Sequence, residues 1–293
     1  MRVSCADGRT GGTVDGERSR DRIQSVERAV EVLRAFDGHD APLGVSALAA
    51  RVKLPRPVVR RILLTFEHLG YVRSDGGLWT LTPRILELGA GYFTASSLPE
   101  IAYPVMGDVV AATGETCSLG VLDDGEVIHV ARVEERRPLP DAVRVGTRLP
   151  AHATAVGRVL LAALPSAALE EYLTSTARER YTAHTIVEAD ALRHRLDEAR
   201  ARGYDLSVEE LHPGMVAAAV PISVDSSAVG ALTVSSTTVR ADAAVLEERV
   251  VPVLLEAAAR IAADYRSANP QIYRRAAFSA ATDISADGGS VPR

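Results

Sequence analysis

Apolar positions recur at helical spacing in three successive stretches of the N-terminal third. Val26, Ala29, Val30, Leu33 and Phe36 share one face of a helix beginning near Ser25, Leu48, Ala49 and Val52 line a short second helix, and Val58, Val59, Ile62, Leu63, Phe66 and Leu69 line a third. Lys53, Leu54 and Pro55 predict the turn between the second and third, because the residue before a proline is driven out of the helical region. Ser46 is a candidate N-cap of the second helix, and Pro57 can open the third, where its missing N–H costs nothing in the first turn. Gly70 is placed to close that helix. Tyr71-Val72 and the run 78–81 are β-prone and separated by Ser74-Asp75-Gly76-Gly77, which is hairpin-turn chemistry. Two helices joined by a tight turn and followed by a hairpin predict a winged helix-turn-helix over 21–82.

The run 85–95 is again helical and apolar enough to need a partner, which predicts a linker helix within 83–98, with 96–99 marking a boundary. Beyond it, helix-like and strand-like runs alternate. Helices are predicted at 101–112, 155–163, 192–201 and 241–265. Strands are predicted at 116–122 and 127–133 across Asp123-Asp124-Gly125, at 143–145, and at 217–224 and 229–235. This mixed order predicts an α+β domain over 99–266 with helices packed on one antiparallel sheet. The ends, 1–20 and 267–293, drift to small and polar residues and read as disordered tails.

Charge sharpens the reading of the first domain. Between residues 51 and 73 stand Arg51, Lys53, Arg56, Arg60, Arg61 and Arg73 against Glu67 alone, a local +5 on a chain whose formal net charge is -5. Attraction to phosphate is local, so a basic patch on an acidic protein still binds a duplex. The expected DNA-contacting residues are Ser46, Arg56, Pro57, Val58, Arg60, Arg61 and Arg73, with Gly76 and Gly77 at the tip of the wing. In the major groove, the arginines would meet guanine edges or phosphates, and the wing would touch backbone or minor groove. A helix-turn-helix that touches only protein partners is the alternative.

Other chemistry is poorly represented. No apolar run reaches the roughly 20 residues of a membrane helix, and the polar first residues hold no signal core, so a cytoplasmic location without membrane contact is expected. Cys5 and Cys117 are too few for a disulfide framework or a structural zinc site, and Lys53 is the only lysine beside 32 arginines, which disfavours Schiff-base chemistry. His39, His68, His129, His152, His184, His194 and His212 form no helical ligand pair, so no metal is expected. The adjacent pairs Asp123-Asp124 and Glu209-Glu210 read as solvating groups. Nucleotide-binding and nucleophile-elbow motifs do not occur. No enzyme activity and no cofactor are expected, an enzyme acting on a small acid or ester being the remote alternative.

The strings S-V-E-R-A-V-E-V-L-R-A-F, S-A-L-A-A-R-V-K-L-P-R-P-V-V-R-R-I-L-L-T-F-E-H-L-G-Y-V and W-T-L-T-P-R-I-L-E-L-G resemble the IclR family of bacterial transcriptional regulators, and the resemblance continues to about Tyr265. Pro57 stands where many relatives carry Ser or Thr. The resemblance implies a GAF-like effector-binding second domain whose pocket lies between segments 144–162, 202–222 and 230–236. By position, the effector-binding residues are Ala155, Val156, Ser207, Met215, Ala217, Thr233 and Ser235, flanked by His152 and Thr154. Thr233 and Ser235 share a strand face, and the helix opening after Thr154 offers N–H groups suited to a carboxylate, with Arg132, Arg144 or Arg148 nearby. The segments are most similar to the branch that senses protocatechuate, 4-hydroxybenzoate or β-ketoadipate-pathway acids. The resemblance further implies double-stranded operator DNA as partner, a small organic acid as effector, self-association into a homodimer or homotetramer on a pseudo-palindromic site, and control of a catabolic operon.

Overall fold

The computed structural model describes residues 22–36, 42–135, 143–225 and 227–270. The predicted tail 1–20 and all of the predicted tail 267–293 from residue 271 on, together with Cys5 and His39, lie outside these residues, and residues 267 and 268 belong to the last helix instead. The chain divides into two compact units, Met1–Tyr92 and Phe93–Arg293.

The first unit comprises helices α1 (Gln24–Arg34), α2 (Val45–Arg51) and α3 (Arg56–His68) and strands β1 (Leu43–Gly44), β2 (Val72–Asp75) and β3 (Leu78–Leu81), arranged as a β1-β3-β2 sheet. Val32, Phe36, Leu48, Val59, Leu63, Val72 and Trp79 form its core. The turn between α2 and α3 is closed by the backbone rather than by Pro55. Lys53 sits at φ 54° and the Leu54 N–H donates to the Ala49 carbonyl at 3.1 Å, which satisfies an orphan carbonyl at the end of α2. Gly70, at φ 83°, ends α3 in the same way, with the Tyr71 N–H on the Phe66 carbonyl at 2.9 Å and the two rings packed edge to face. Ser46 is not the N-cap of α2. Gly44 holds that position, because β1 pairs Leu43 with Trp79 and delivers the chain straight into the helix. The wing turn is tighter than expected: Asp75 pairs with Leu78, leaving only Gly76 and Gly77 in the loop, both at positive φ.

A turn of 3-10 helix (Pro83–Leu86) falls in the first unit, α4 (Glu87–Ala95) runs across the boundary at Tyr92, and α5 (Leu98–Thr113) opens the second. The six-stranded sheet that follows is antiparallel throughout, in the order β6-β5-β4-β9-β8-β7. Its strands are β4 (Thr116–Asp123), β5 (Glu126–Val133), β6 (Arg148–Pro150), β7 (Asp205–Val208), β8 (Met215–Val224) and β9 (Ser227–Thr237). A 3-10 turn (Ala151–Ala153), α6 (Ala155–Ala162), α7 (Ser166–Ser175) and α8 (Ala189–Arg202) lie between β6 and β7. After β9 come α9 (Ala243–Val245), a π-helical turn (Leu246–Val250) and α10 (Val251–Ala268). The π turn ends at Val250, two residues before Pro252, which cannot donate to the carbonyl four residues back.

The sheet is covered on both faces. Leu98 and Met106 of α5 and Leu254 and Ile261 of α10 bury Leu119, Leu232 and Val234 on one side. Val159 and Leu161 of α6, Leu169 of α7 and Leu192 and Leu196 of α8 bury Val127, Ala219 and Ala231 on the other. The expected strand at 143–145 is absent, because Gly146 turns at φ 93° and edge pairing resumes only at Arg148. Helix α7 and strands β1 and β7 escaped the sequence reading.

Gly157 is required by close approach: a Cβ there would stand 2.3 Å from both Cα and O of Ala151. Gly157→Ala should therefore push α6 off the 3-10 turn and lower unfolding free energy by about 3 kcal/mol, measured by urea denaturation.

Candidate functional site

Helix α3 presents Arg56, Pro57, Arg60 and Arg61 as exposed residues, while Val59 and Leu63 are buried and Val58 is half-buried. The wing is braced against this helix, since the Ser74 N–H donates to Glu67 Oε1 at 3.1 Å. Arg73 on β2 donates from Nε to Thr80 Oγ1 at 3.2 Å across the hairpin, and Ser46 is exposed on α2. The three arginines of α3 and the glycine-tipped wing thus belong to one rigid, solvent-facing constellation.

The second unit holds a cavity of about 90 Å³ between the sheet and the start of α6. Thr154, Ala155, Val156, Ser207, Met215, Ala217, Thr233 and Ser235 all line it, with Arg132, one of the three arginines expected nearby, and with His129, Glu210 and His212, which the sequence did not place there. The floor is set by register. Arg132 is opposite Ser118, which is opposite Thr233; in the next row Ser235 is opposite Ala217, which is opposite Ser207. Thr233 is less available than expected, because its hydroxyl donates to the Ala218 carbonyl at 3.0 Å. Thr154 is the true N-cap of α6, accepting the Gly157 N–H at 3.2 Å. The N–H groups of Ala155 and Val156, in the first turn, have no intrahelical acceptor and leave the helix N-terminus electropositive.

Two groups set the electrostatics of the floor. Arg132 is held by Glu134 at 3.0 Å and by Ser118 at 3.1 Å, so its guanidinium is fixed at the cavity wall. Burial, reinforced by the Arg132 charge, pushes the His129 imidazole down to about 4, which keeps the ring neutral near pH 7. Arg148 is drawn away to Asp123 and Glu126 at 2.7 and 2.6 Å, and Arg144 does not line the cavity.

His152 does not line the cavity either. It is buried, and its Nε2–H donates to the Glu179 carbonyl at 2.9 Å, so it serves the loop that follows α7. The expected solvating role of Glu210 is also overturned. Glu210 is buried against Arg158, which is fully buried and spends all five of its N–H donors: on Asp205, on both oxygens of Glu210 at 2.6 and 2.9 Å, and on the carbonyls of His152 and Leu206 at 3.1 and 2.9 Å. Arg195 adds a second cation, with Nε 2.8 Å from Asp205. Cys117 is buried, and burial pushes its thiol up to about 12, leaving it inert. Among the described residues, no group of His, Cys, Asp and Glu has the arrangement to hold a metal ion, and no helix is long and apolar enough to cross a membrane.

A helix-turn-helix head with a wing, followed by a sheet domain that holds a partly open cavity, has the architecture of a transcriptional regulator. Family models agree: the IclR helix-turn-helix domain matches residues 25–76, and the bacterial transcriptional regulator IclR C-terminal domain matches residues 90–263. The chain belongs to the IclR family of transcriptional regulators. It is 32% identical over 239 residues to the Pca regulon regulatory protein of Pseudomonas putida, covering 81% of this chain and 82% of that one. It is 33% identical over 243 residues to the p-hydroxybenzoate hydroxylase transcriptional activator of Acinetobacter baylyi, covering 81% and 90%. Among solved structures, an IclR homolog complexed with 4-hydroxybenzoate from Microbacterium hydrocarbonoxydans superposes with a TM-score of 0.72 at 28% identity, covering 83% and 99%. These relatives are regulators of transcription and not enzymes.

Arg158→Ala would strand Glu210 as a buried, uncompensated carboxylate and leave Asp205 to Arg195 alone. A loss of about 3 to 5 kcal/mol in chemical denaturation is expected, far more than for Arg148→Ala at the surface.

Proposed function

We propose that the protein binds a pseudo-palindromic operator as a dimer or dimer of dimers, and that a small organic acid of the aromatic type enters the cavity and shifts operator affinity to control a catabolic operon. The cavity carries this reading: a fixed guanidinium and an open helix N-terminus converge on a mostly apolar space of about 90 Å³. A solved IclR homolog in complex with 4-hydroxybenzoate, and a relative named as the transcriptional activator of p-hydroxybenzoate hydroxylase, support the ligand class. Ser207, Met215, Ala217 and Ser235, with Ala155 and Val156, form the contact surface of this reading, and Arg132 is the anion partner.

Helix α3 enters the major groove in this account, with Arg56, Arg60 and Arg61 as the reading or phosphate-binding cations and Arg73 and the Gly76-Gly77 tip on the adjoining backbone. One head covers too few base pairs for genomic specificity, so two must act together. Exposed Leu86, Leu88, Tyr92 and Phe93 in and before α4 supply apolar surface for self-association. Effector binding then couples to head spacing by about 1 to 3 kcal/mol.

Fluorescence anisotropy with the gene's own upstream duplex and a scrambled duplex tests this directly. Preferential binding of the upstream duplex is expected, shifted by protocatechuate, 4-hydroxybenzoate or β-ketoadipate. Arg60→Ala or Arg61→Ala should cost about 1 to 3 kcal/mol of specific binding where the side chain reads guanine, and should weaken all sequences alike where it meets phosphate. Unchanged binding in both variants would refute the assignment of α3, and equal binding of both duplexes at every salt concentration would favour a helix-turn-helix that acts through protein partners.

A further inference from the structure

His129 and Arg132 are three apart on β5, and in a regular strand residues three apart face opposite sides of the sheet. Here they face the same cavity. The cause is a β-bulge: Leu119 is opposite Ala131 and Gly120 is opposite His129, so Val130 has no partner across the ladder and the alternation slips by one residue. Val127 and His129 point to the α6 side, Val130 and Ala131 both turn to the α5 and α10 core, and Arg132 returns to the α6 side. The strand is held in this shape from its edge, where the Gly146 N–H donates to the His129 carbonyl at 2.8 Å and the His129 N–H donates to the Thr147 carbonyl at 3.0 Å. Gly120, opposite His129, lets Val127 and Val156 close over the strand: a Cβ there would lie 2.5 Å from Val127 Cγ1 and 2.9 Å from Val156 Cγ2.

The bulge thus places two polar groups of different kind on one floor, in neighbouring side-chain rows about 7 Å apart. Arg132 is a fixed cation. His129 is only 3% exposed, and among the described residues neither ring nitrogen has a hydrogen-bond partner. Buried polar atoms are almost always paired, and a neutral imidazole offers one donor and one acceptor, the complement of a hydroxyl group. Two other polar groups on the wall are already engaged. Both Glu210 oxygens accept from Arg158, and the Thr233 hydroxyl donates to Ala218.

We propose that His129 selects for a hydroxyl on the effector: the cavity takes a small hydroxylated organic acid whose carboxylate lies at the Arg132 row and whose hydroxyl is hydrogen-bonded by the His129 ring. The bulge is the device that sets these two contacts on the same face. This rests on the reading of the cavity as the effector site, and the test separates the two.

Isothermal titration of the full chain with benzoate, 3-hydroxybenzoate and 4-hydroxybenzoate supplies three probes of similar size and the same charge. One hydroxylated acid should bind at least about 10-fold tighter than benzoate, and His129→Leu should abolish that preference while leaving benzoate affinity unchanged. His129→Gln, polar but differently shaped, should reduce the preference and guards against a variant that fails to fold. An undiminished hydroxyl preference in a folded His129 variant would overturn the proposal and leave the cavity reading intact. Binding unaffected by the cavity-filling change Ala217→Phe would overturn the cavity reading itself, and wild-type protein that binds none of the three would overturn the acid class.

Discussion

The second unit depends on one buried cation. Arg158 has no exposed side-chain surface, and a guanidinium in that position must find an acceptor for each N–H and a counter-charge for itself. Asp205 on β7, Glu210 in the loop before β8 and the carbonyls of His152 and Leu206 meet that demand together. The consequence is geometric. Helix α6, the 3-10 turn before it and the edge strand β7 can assemble in only one mutual arrangement, and that arrangement stands the N-terminus of α6 over the sheet floor where the cavity lies. The close approach of Gly157 to Ala151 works in the same direction, since only a residue without Cβ lets the turn and the helix come together.

The second constraint is the break in alternation on β5. Sheets bury a regular period of two, and a polar row on the buried face would ordinarily be an error of patterning. The bulge confines the exception to His129 and Arg132, while Val130 and Ala131 stay with the opposite core. The floor is therefore polar where a ligand would lie and apolar around it, which is the composition small-molecule sites share. In the first unit the corresponding devices are helix ends: left-handed Lys53 and Gly70 close α2 and α3 and fix the angle at which the arginine-bearing face is displayed.

The sequence made these layers legible to different degrees. The helices of the first unit and both hairpins were legible because their apolar period and turn residues act locally. Strand β1 was not, since two residues carry no period and exist only through pairing with Trp79 and Leu78. Strand β7 was hidden by its own chemistry: Asp205 and Ser207 break any apolar run, yet both are buried, Asp205 because Arg158 and Arg195 come to it from two helices. The same long-range pairing reversed the meaning of Glu210. The cavity residues on α6, β8 and β9 followed from family resemblance, whereas His129 could not be found by alternation, because the bulge that turns Arg132 to the same face leaves no mark in the residue types. His152, next to the predicted cluster in sequence, serves a neighbouring loop instead.

The most direct measurement is hydrogen–deuterium exchange on the full chain with and without saturating 4-hydroxybenzoate. Slowed exchange concentrated at 129–133, 154–158 and 207–217 is the result this account predicts, because those backbones frame the cavity floor and the opening of α6. Slowed exchange at 121–122, 160–165 and 227–229, where a second and apolar hollow lies, with no change around His129 and Thr154, would contradict it.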